Sequence, residues 1–437
     1  MKKIVILGGG ESGVGAAILA KTKGHPVFLS DSGTLKAAYR EKLEINNISY
    51  EENNHDEKRI FSADLIVKSP GIPDNVPLIK ALTEAGIPII SEIEFAGKHT
   101  NAVIIGITGS NGKTTTANLT YHLLKTGGFD VGLGGNIGRS FAEMVALAPH
   151  EYYVLELSSF QLDGIEYFQP DVSILLNITP DHLDRYDYKM ENYIASKFRI
   201  IKNQEAEDIF IYNEEDKNIA DFLKEKEKEL LPTLMKVKMT TSDDTKIIID
   251  EAHHFDLNKT TLKGLHNRFN AECAIHAALS QGISKEDIQD GLETFKNSPH
   301  RLEVVATIDG VTYINDSKAT NVDSVYYALL AVEGPVVLII GGVDKGNDYG
   351  AIMPLVKEKV KSIVCLGVDN EKLKATFSNI IDKIVEADSM KMAIEESRKM
   401  AQSGDQILLS PACASFDLFK NYVDRGEQFT EIVRGSV

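Results

Sequence analysis

Residues 102–115 read Ala102-Val103-Ile104-Ile105-Gly106-Ile107-Thr108-Gly109-Ser110-Asn111-Gly112-Lys113-Thr114-Thr115. An apolar run of strand length passes directly into a glycine-rich loop, a lysine and two threonines, and the stretch from Thr114 to about Thr126 reads as a helix. In that order, strand, loop and helix aim backbone N–H groups and the positive end of a helix dipole at an anion on the loop. Lys113 would reach the β- and γ-phosphates of a nucleotide and Thr114 would hold Mg²⁺. The spacing departs from G-x-x-x-x-G-K-[ST], because Ile107 stands five before Gly112 and glycines fall at 106 and 109 instead. A plain turn with a helix cap is the alternative, and the placement after an apolar strand counts against it.

Working outward, the upstream residues repeat the same alternation. Ile4-Val5-Ile6-Leu7, Pro26-Val27-Phe28-Leu29, Asp64-Leu65-Ile66-Val67 and Ile87-Pro88-Ile89-Ile90 are short buried-strand patterns separated by helical ones, the rhythm of a parallel sheet. Gly8-Gly9-Gly10-Glu11-Ser12-Gly13 fits G-x-G-x-x-G after the first of these strands, and Asp31 ends the second, where a ribose-binding acid lies in dinucleotide sites. A nicotinamide cofactor, another nucleotide diphosphate and a tight turn packed on the sheet all remain open on these residues alone. Downstream, Tyr153 to Leu157 and Val172 to Asn177 read as further strands, whereas residues 203–260 are charge-dense and irregular. After Pro299 the alternation resumes, with strands at Thr312-Tyr313-Ile314, Val336 to Ile340, Ile363 to Leu366 and Gln406 to Leu409. The pattern predicts three domains, at residues 1–96, 97–298 and 299–437.

Composition sets the class. The 437 residues are 43% hydrophobic and 25% charged, as in an ordinary globular protein. A net charge of −17, with no basic arm, disfavours generic binding to nucleic acid or to an anionic membrane, so any anionic ligand must be held locally. Cys273, Cys365 and Cys413 are far apart and odd in number, which argues against a disulfide framework or a zinc site and fits reduced thiols in cytoplasm. No apolar stretch approaches a spanning helix or a signal-peptide core, so a secreted or membrane-spanning protein is not expected.

Other polar clusters sit after strand patterns. Glu156 ends an apolar strand, Asp181-His182-Leu183-Asp184-Arg185 follows another, and Lys197, taken by itself, is a solvated helix residue. Carboxylate, imidazole and hydroxyl are suitable partners for Mg²⁺ beside phosphates. In the third segment, Pro299 to Glu303, Asn315 to Asn321, Gly341 to Gly346 and Ser410 to Phe416 each follow a strand. Ligands bind outside the carboxyl ends of strands in doubly wound sheets, so these clusters can converge on one crevice; loop and capping chemistry is the bland alternative.

Taken together, Gly109 to Thr115, Gly134-Gly135-Asn136-Ile137-Gly138, Leu155 to Gln161, Asp181 to Tyr186, Asn315 to Asn321 and Leu409 to Phe416 resemble the Mur ligases, ATP-dependent amide-forming enzymes of peptidoglycan precursor synthesis. The resemblance covers all three domains. It implies an α/β fold: a Rossmann-like N-terminal domain, a central P-loop ATP-binding domain with a mainly parallel sheet, and a Rossmann-like C-terminal domain that binds the incoming amino acid. The implied reaction joins D-glutamate to UDP-N-acetylmuramoyl-L-alanine through an acyl phosphate. Members adding L-alanine, a diamino acid or glutamate on folate are the alternatives, and the Ser410 to Tyr422 segment favours D-glutamate. A nucleotide-dependent regulator without turnover is a third class, against which Lys113, Glu156, His182 and Lys197 together argue.

Residue by residue, the resemblance implies that Gly109, Ser110, Asn111, Gly112, Lys113, Thr114, Thr115, Asn267, Arg301 and Asp316 bind ATP. Thr114 and Glu156 would hold one Mg²⁺, and His182 with Lys197 a second. Lys197 matches a position where relatives carry a carbamylated lysine, although a plain lysine paired to phosphate stays open by charge alone. Ser12, Asp31, Ser32, Ser69, Pro70, Gly71 and Asn136 would hold the UDP substrate. Lys318 would act with Thr320, Lys345, Ser415 and Tyr422 around D-glutamate, with Tyr422 where the family often has Phe. A monomer is implied.

Overall fold

The computed structural model describes residues 1–226, 230–240, 243, 245–262 and 264–435. These fall into two compact units, Met1–Phe295 and Lys296–Val437.

The first unit contains two parallel sheets. Strands β1 (Ile4–Leu7), β2 (Val27–Ser30), β3 (Ser49–Glu51), β4 (Leu65–Lys68) and β5 (Ile89–Ser91) form the first, in the order β3-β2-β1-β4-β5. β1 to its neighbours is parallel on both sides, Ile4 lying opposite Val27 and Leu65. Order reverses between β1 and β4, so the loops after these two strands open at the switch point where such sheets take ligands. The second sheet comprises β6 (Val103–Thr108), β7 (Val131–Gly135), β8 (Tyr152–Glu156), β9 (Val172–Leu175), β10 (Ile209–Asn213) and β11 (Thr233–Val237), in the order β11-β10-β9-β6-β8-β7. All its pairings are parallel. A small antiparallel pair, β12 (Lys246–Ile248) and β13 (His254–Asp256), follows.

β-branched and aliphatic runs buried on both faces explain the strands, and Ile104, Ile105 and Ile107 are all within 5% of full burial. The two sheets share one core. Val14, Ala17 and Ile18 of the helix Glu11–Thr22 pack in the same apolar cluster as Phe141, Met144 and Tyr153. The helix Glu11–Thr22 comes so close to the helix Phe141–Leu147 that a Cβ on Gly15 would lie 1.9 Å from Ser140 Oγ, so only glycine fits there.

The second unit has one six-stranded sheet: β14 (Glu303–Ile308), β15 (Val311–Asn315), β16 (Val336–Gly341), β17 (Val360–Leu366), β18 (Ile384–Ala387) and β19 (Gln406–Ala412), ordered β14-β15-β19-β16-β17-β18. Only β14 runs antiparallel, as an edge hairpin on β15. The carboxyl ends of β15, β19 and β16 are neighbours, which gathers the loops that begin at Asp316, Cys413 and Gly342.

The α/β class and mainly parallel sheets agree with the sequence. Residues 203–260 do not: they hold β10, the helix Lys217–Lys226, β11, β12 and β13 rather than irregular chain. Phe210, Ile211, Ile219 and Leu223 supply a buried face that the dense charges of this stretch disguise. Among the described residues no helix is long and apolar enough to cross a membrane.

Candidate functional site

The loop after β6 is held by the chain after β9. Ser110 N–H donates to the Asn177 carbonyl (3.0 Å), Asn111 N–H to Asn177 Oδ1 (2.8 Å), and Asn177 Nδ2 returns a bond to the Asn111 carbonyl (3.1 Å). Ser110 Oγ donates to the Thr179 carbonyl and accepts from its N–H. Gly112 has φ 84°, and a Cβ there would meet Asn270 Oδ1 at 2.5 Å. The helix Lys113–Thr126 then begins without a side-chain cap, leaving the positive end of its dipole for an anion. Asn267 and Asn270 are both buried on one face of the helix Leu265–Ser280, three residues apart. Asn267 was expected here from the resemblance; Asn270, three residues on, was not singled out, and it is the side chain that closes on Gly112.

Two lysines enter this loop. Lys113 Nζ donates to the carbonyls of Gly109 (2.7 Å) and Ser110 (2.8 Å). Lys197, from the helix Met190–Phe198, donates to Gly109 O (2.8 Å) and Thr108 Oγ1 (3.2 Å). Lys197 is only 2% exposed, so its reading as a solvated helix residue is wrong; the helix turns that face into the core beside Tyr193 and Phe198. Burial, and then the nearby charge of Lys113, hold the Lys197 amine well below the usual lysine range, against the pull of Asp181, Glu156 and Asp163.

Glu156 ends β8 and is 2% exposed. Its Oε1 accepts from Asn136 Nδ2 (2.7 Å), while Oε2 is buried with no hydrogen-bond partner. An orphaned carboxylate oxygen is what a hard divalent cation would satisfy. His182 sits at the rim, its side chain 42% exposed, with φ 52°. Its ring lies edge-on to Phe160, and Nε2 is 3.5 Å from Asp181 Oδ2. Arg185, which the sequence placed in the same polar cluster without a role of its own, lies 4.4 Å over the same Phe160 ring and reaches the Pro70 carbonyl (3.4 Å).

At the switch point of the first sheet, Asp31 serves its own loop. Oδ2 accepts from Gly9 N–H (2.5 Å) and Oδ1 from Gly33 N–H (2.7 Å). Ser69, after β4, bonds back to Gly8 through its hydroxyl (3.3 Å). Ser12, Ser69 and Pro70 are half-buried and Ser32 and Gly71 exposed, around the start of the helix Glu11–Thr22, which also lacks a side-chain cap. Asn136 is exposed but committed through its amide to Glu156.

In the second unit, Asp316 accepts from Ser410 Oγ (2.9 Å) and Leu302 N–H (3.3 Å), and burial pushes its carboxyl up to about 7. His300 and Leu302, which flank Arg301, both have positive φ, a strained arrangement of the kind that collects at ligand sites. Lys318 Nζ lies 3.8 Å over the Tyr422 ring, and Ser415 is 2% exposed. Thr320 and Lys345 are exposed, so the structure brings Lys318 and Tyr422 into contact but leaves these two without a hydrogen bond to them.

Family profiles match residues 3–76 (MurD N-terminal domain), 107–278 (Mur ligase middle domain) and 300–413 (Mur ligase, glutamate ligase domain). A UDP-N-acetylmuramoylalanine--D-glutamate ligase of Christiangramia forsetii is 53% identical over 441 residues, 99% of each chain. The chain belongs to the Mur ligase family. Among Mur ligase relatives of known structure, a pseudomurein peptide ligase type C from Methanothermus fervidus covers all of both chains at a TM-score of 0.64 and 19% identity. A MurF ligase of Thermotoga maritima, solved in complex with ADP, covers 87% of this chain and 92% of its own at a TM-score of 0.58 and 17% identity. These two likenesses establish the Mur ligase fold.

Proposed function

We propose that this protein uses ATP to join D-glutamate to UDP-N-acetylmuramoyl-L-alanine, giving UDP-N-acetylmuramoyl-L-alanyl-D-glutamate, ADP and phosphate for peptidoglycan precursor synthesis. The observation that carries this reading is the phosphate loop, where Lys113 and Lys197 meet on the Gly109 carbonyl and Glu156, one of its oxygens unpartnered, acts electrostatically on Lys197, in a chain half-identical along its length to D-glutamate ligases.

Amide formation from a carboxylate needs a leaving group. A carboxylate oxygen of the UDP substrate attacks the γ-phosphorus of ATP, ADP departs, and an acyl phosphate results. The unprotonated amine of D-glutamate then attacks the acyl carbon and expels phosphate. Each step crowds anions, and preorganised cations and N–H donors stabilise that charge. Gly109 to Thr115 cradle the ATP phosphates, with Lys113 as the cation; Asn267, Arg301 and Asp316 complete the nucleotide set.

Thr114 and Glu156 would hold one Mg²⁺, and His182 with Lys197 a second. Bound Mg²⁺ would neutralise phosphate charge and orient the oxygens. A depressed lysine pKa supports carbamylation: the neutral Lys197 amine adds to CO₂, loses a proton and becomes a carbamate, a carboxylate-like metal ligand. Ser12, Asp31, Ser32, Ser69, Pro70, Gly71 and Asn136 take the UDP substrate. Backbone N–H groups of the Gly8 to Gly13 loop carry more of that contact, because Asp31 is spent on the loop itself. Lys318, Thr320, Lys345, Ser415 and Tyr422 take D-glutamate.

The same reading divides the chain into domains at 1–96, 97–298 and 299–437, monomeric and cytoplasmic. Three free buried cysteines and the acidic composition support that location. The test supplies purified protein with UDP-N-acetylmuramoyl-L-alanine, Mg²⁺ and ATP, and follows phosphate release as D-Glu, L-Glu, L-Ala and meso-diaminopimelate are added in turn. Release confined to D-Glu is expected; release indifferent to it removes the assignment.

A further inference from the structure

Arg425 is 1% exposed, one of the largest side chains buried in the protein. It lies in the helix Tyr422–Arg434, whose first N–H groups are capped by Asn421. Burial lowers its pKa to about 10, so it remains a cation at neutral pH. Among the described residues no carboxylate stands within ion-pair distance of it. Instead Nε donates to Ser317 Oγ (3.0 Å), Nη2 to the Ser317 carbonyl (2.9 Å) and Nη1 to the Cys413 carbonyl (3.2 Å).

A buried cation with only neutral acceptors is expensive, and apolar packing would stabilise a core better. What the guanidinium supplies is geometry: a rigid planar fork that fixes three chain segments at set distances and angles. Those segments bear on one place. Ser317 precedes Lys318, Cys413 lies two before Ser415, and Tyr422 lies one helical turn before Arg425. Ser317 Oγ also donates to the Tyr422 carbonyl (2.8 Å), and the Lys318 ammonium rests 3.8 Å over the Tyr422 ring. Next to Cys413, Ala412 holds φ 61°, a conformation that alanine keeps only when its surroundings enforce it.

We propose that Arg425 is a positioning residue for the incoming amino acid: its fork sets Lys318, Ser415 and Tyr422 in register so that they engage D-glutamate. This rests on the assignment of those three residues to D-glutamate. Arg425 itself touches no substrate.

The test measures KM for all three substrates, kcat and thermal midpoint for Arg425→Lys, Arg425→Met and Ser317→Ala, beside Lys318→Ala and Ser415→Ala. Arg425→Lys keeps the charge but loses the fork. It should raise the D-glutamate KM about tenfold or more, the scale on which a small displacement of a binding group acts. The KM values for ATP and the UDP substrate should stay within about twofold on the same reasoning. Ser317→Ala should move the D-glutamate KM in the same direction by less, and it decides the matter if both Arg425 variants fail to fold. Equal rises in all three KM values, or an unchanged D-glutamate KM in a folded Arg425→Lys enzyme, overturn the positioning role. If Lys318→Ala and Ser415→Ala leave the D-glutamate KM unmoved, the substrate assignment itself fails, which is a distinguishable result.

Discussion

Lys113 and Lys197 donate to one and the same oxygen, the Gly109 carbonyl, at 2.7 and 2.8 Å. Burial, and then the charge of Lys113 on the same acceptor, hold the Lys197 pKa well below the usual lysine range. The arrangement thus favours the neutral amine of Lys197 more than an exposed site would.

Replacing Lys197 with Ala should lower kcat about a hundredfold or more, the scale on which metal-site support is lost. Formate or acetate should restore part of the rate by supplying the missing carboxylate. Steady-state phosphate release with and without added acid checks this, and near-normal turnover without rescue contradicts the carbamate.

Gly112→Ala places a Cβ 2.5 Å from Asn270 Oδ1 at a φ of 84°. The left-handed backbone alone should destabilise by about 1–2 kcal/mol. The loop must shift to relieve the contact, so the ATP KM should rise while the D-glutamate KM holds. Thermal midpoint and both KM values report the outcome; an unaltered ATP KM would be the wrong result.

Glu92 is a buried carboxyl that accepts from Ser140 Oγ and Ala142 N–H, both at 2.7 Å, where the two sheets of the first unit join. Burial raises its pKa from 4.5 to about 7. The folded protein thus keeps a proton that the unfolded chain has lost, and stability falls as pH rises from 4.5 to 7, then levels off. Glu92→Gln cannot ionise. It should match the parent at pH 5 and exceed it at pH 8 by on the order of 1–3 kcal/mol. Urea unfolding followed by circular dichroism across that range tests the difference, and parallel pH curves for the two proteins would refute it.

Tyr422→Phe keeps a ring beneath Lys318 and should leave the D-glutamate KM within about twofold, whereas Tyr422→Ala removes about 0.5–2 kcal/mol of cation–π attraction and should raise it several-fold. Equal effects from the two substitutions would show that the ring is not the relevant group.

Much of this was legible in the sequence. Strand, loop and lysine at residues 102–115 fixed the centre of the second sheet, because an apolar run entering a glycine-rich turn has few other uses. The alternation before and after it disclosed the class. Burial of charge was not legible. Lys197 taken by itself reads as a solvated helix residue, and Glu92 and Arg425 carry no signal of their own, since nothing local says which face of a helix a neighbouring element will cover. Asp31 reads as a ligand contact, and its second use, accepting from Gly9 N–H, was not legible because it depends on a loop 22 residues away. Residues 203–260 failed for the converse reason: β10 is a short uncharged run flanked on both sides by charge-dense segments, and in the following helix the buried Ile219 and Leu223 are set among charged residues.

The close approach at Gly15 has a consequence for the seam inside the first unit. The helix beginning at Glu11 meets the chain at Ser140 and the start of the helix that follows with no room for a single methyl group, so any side chain at residue 15 would have to prise apart the contact through which the first sheet is joined to the second.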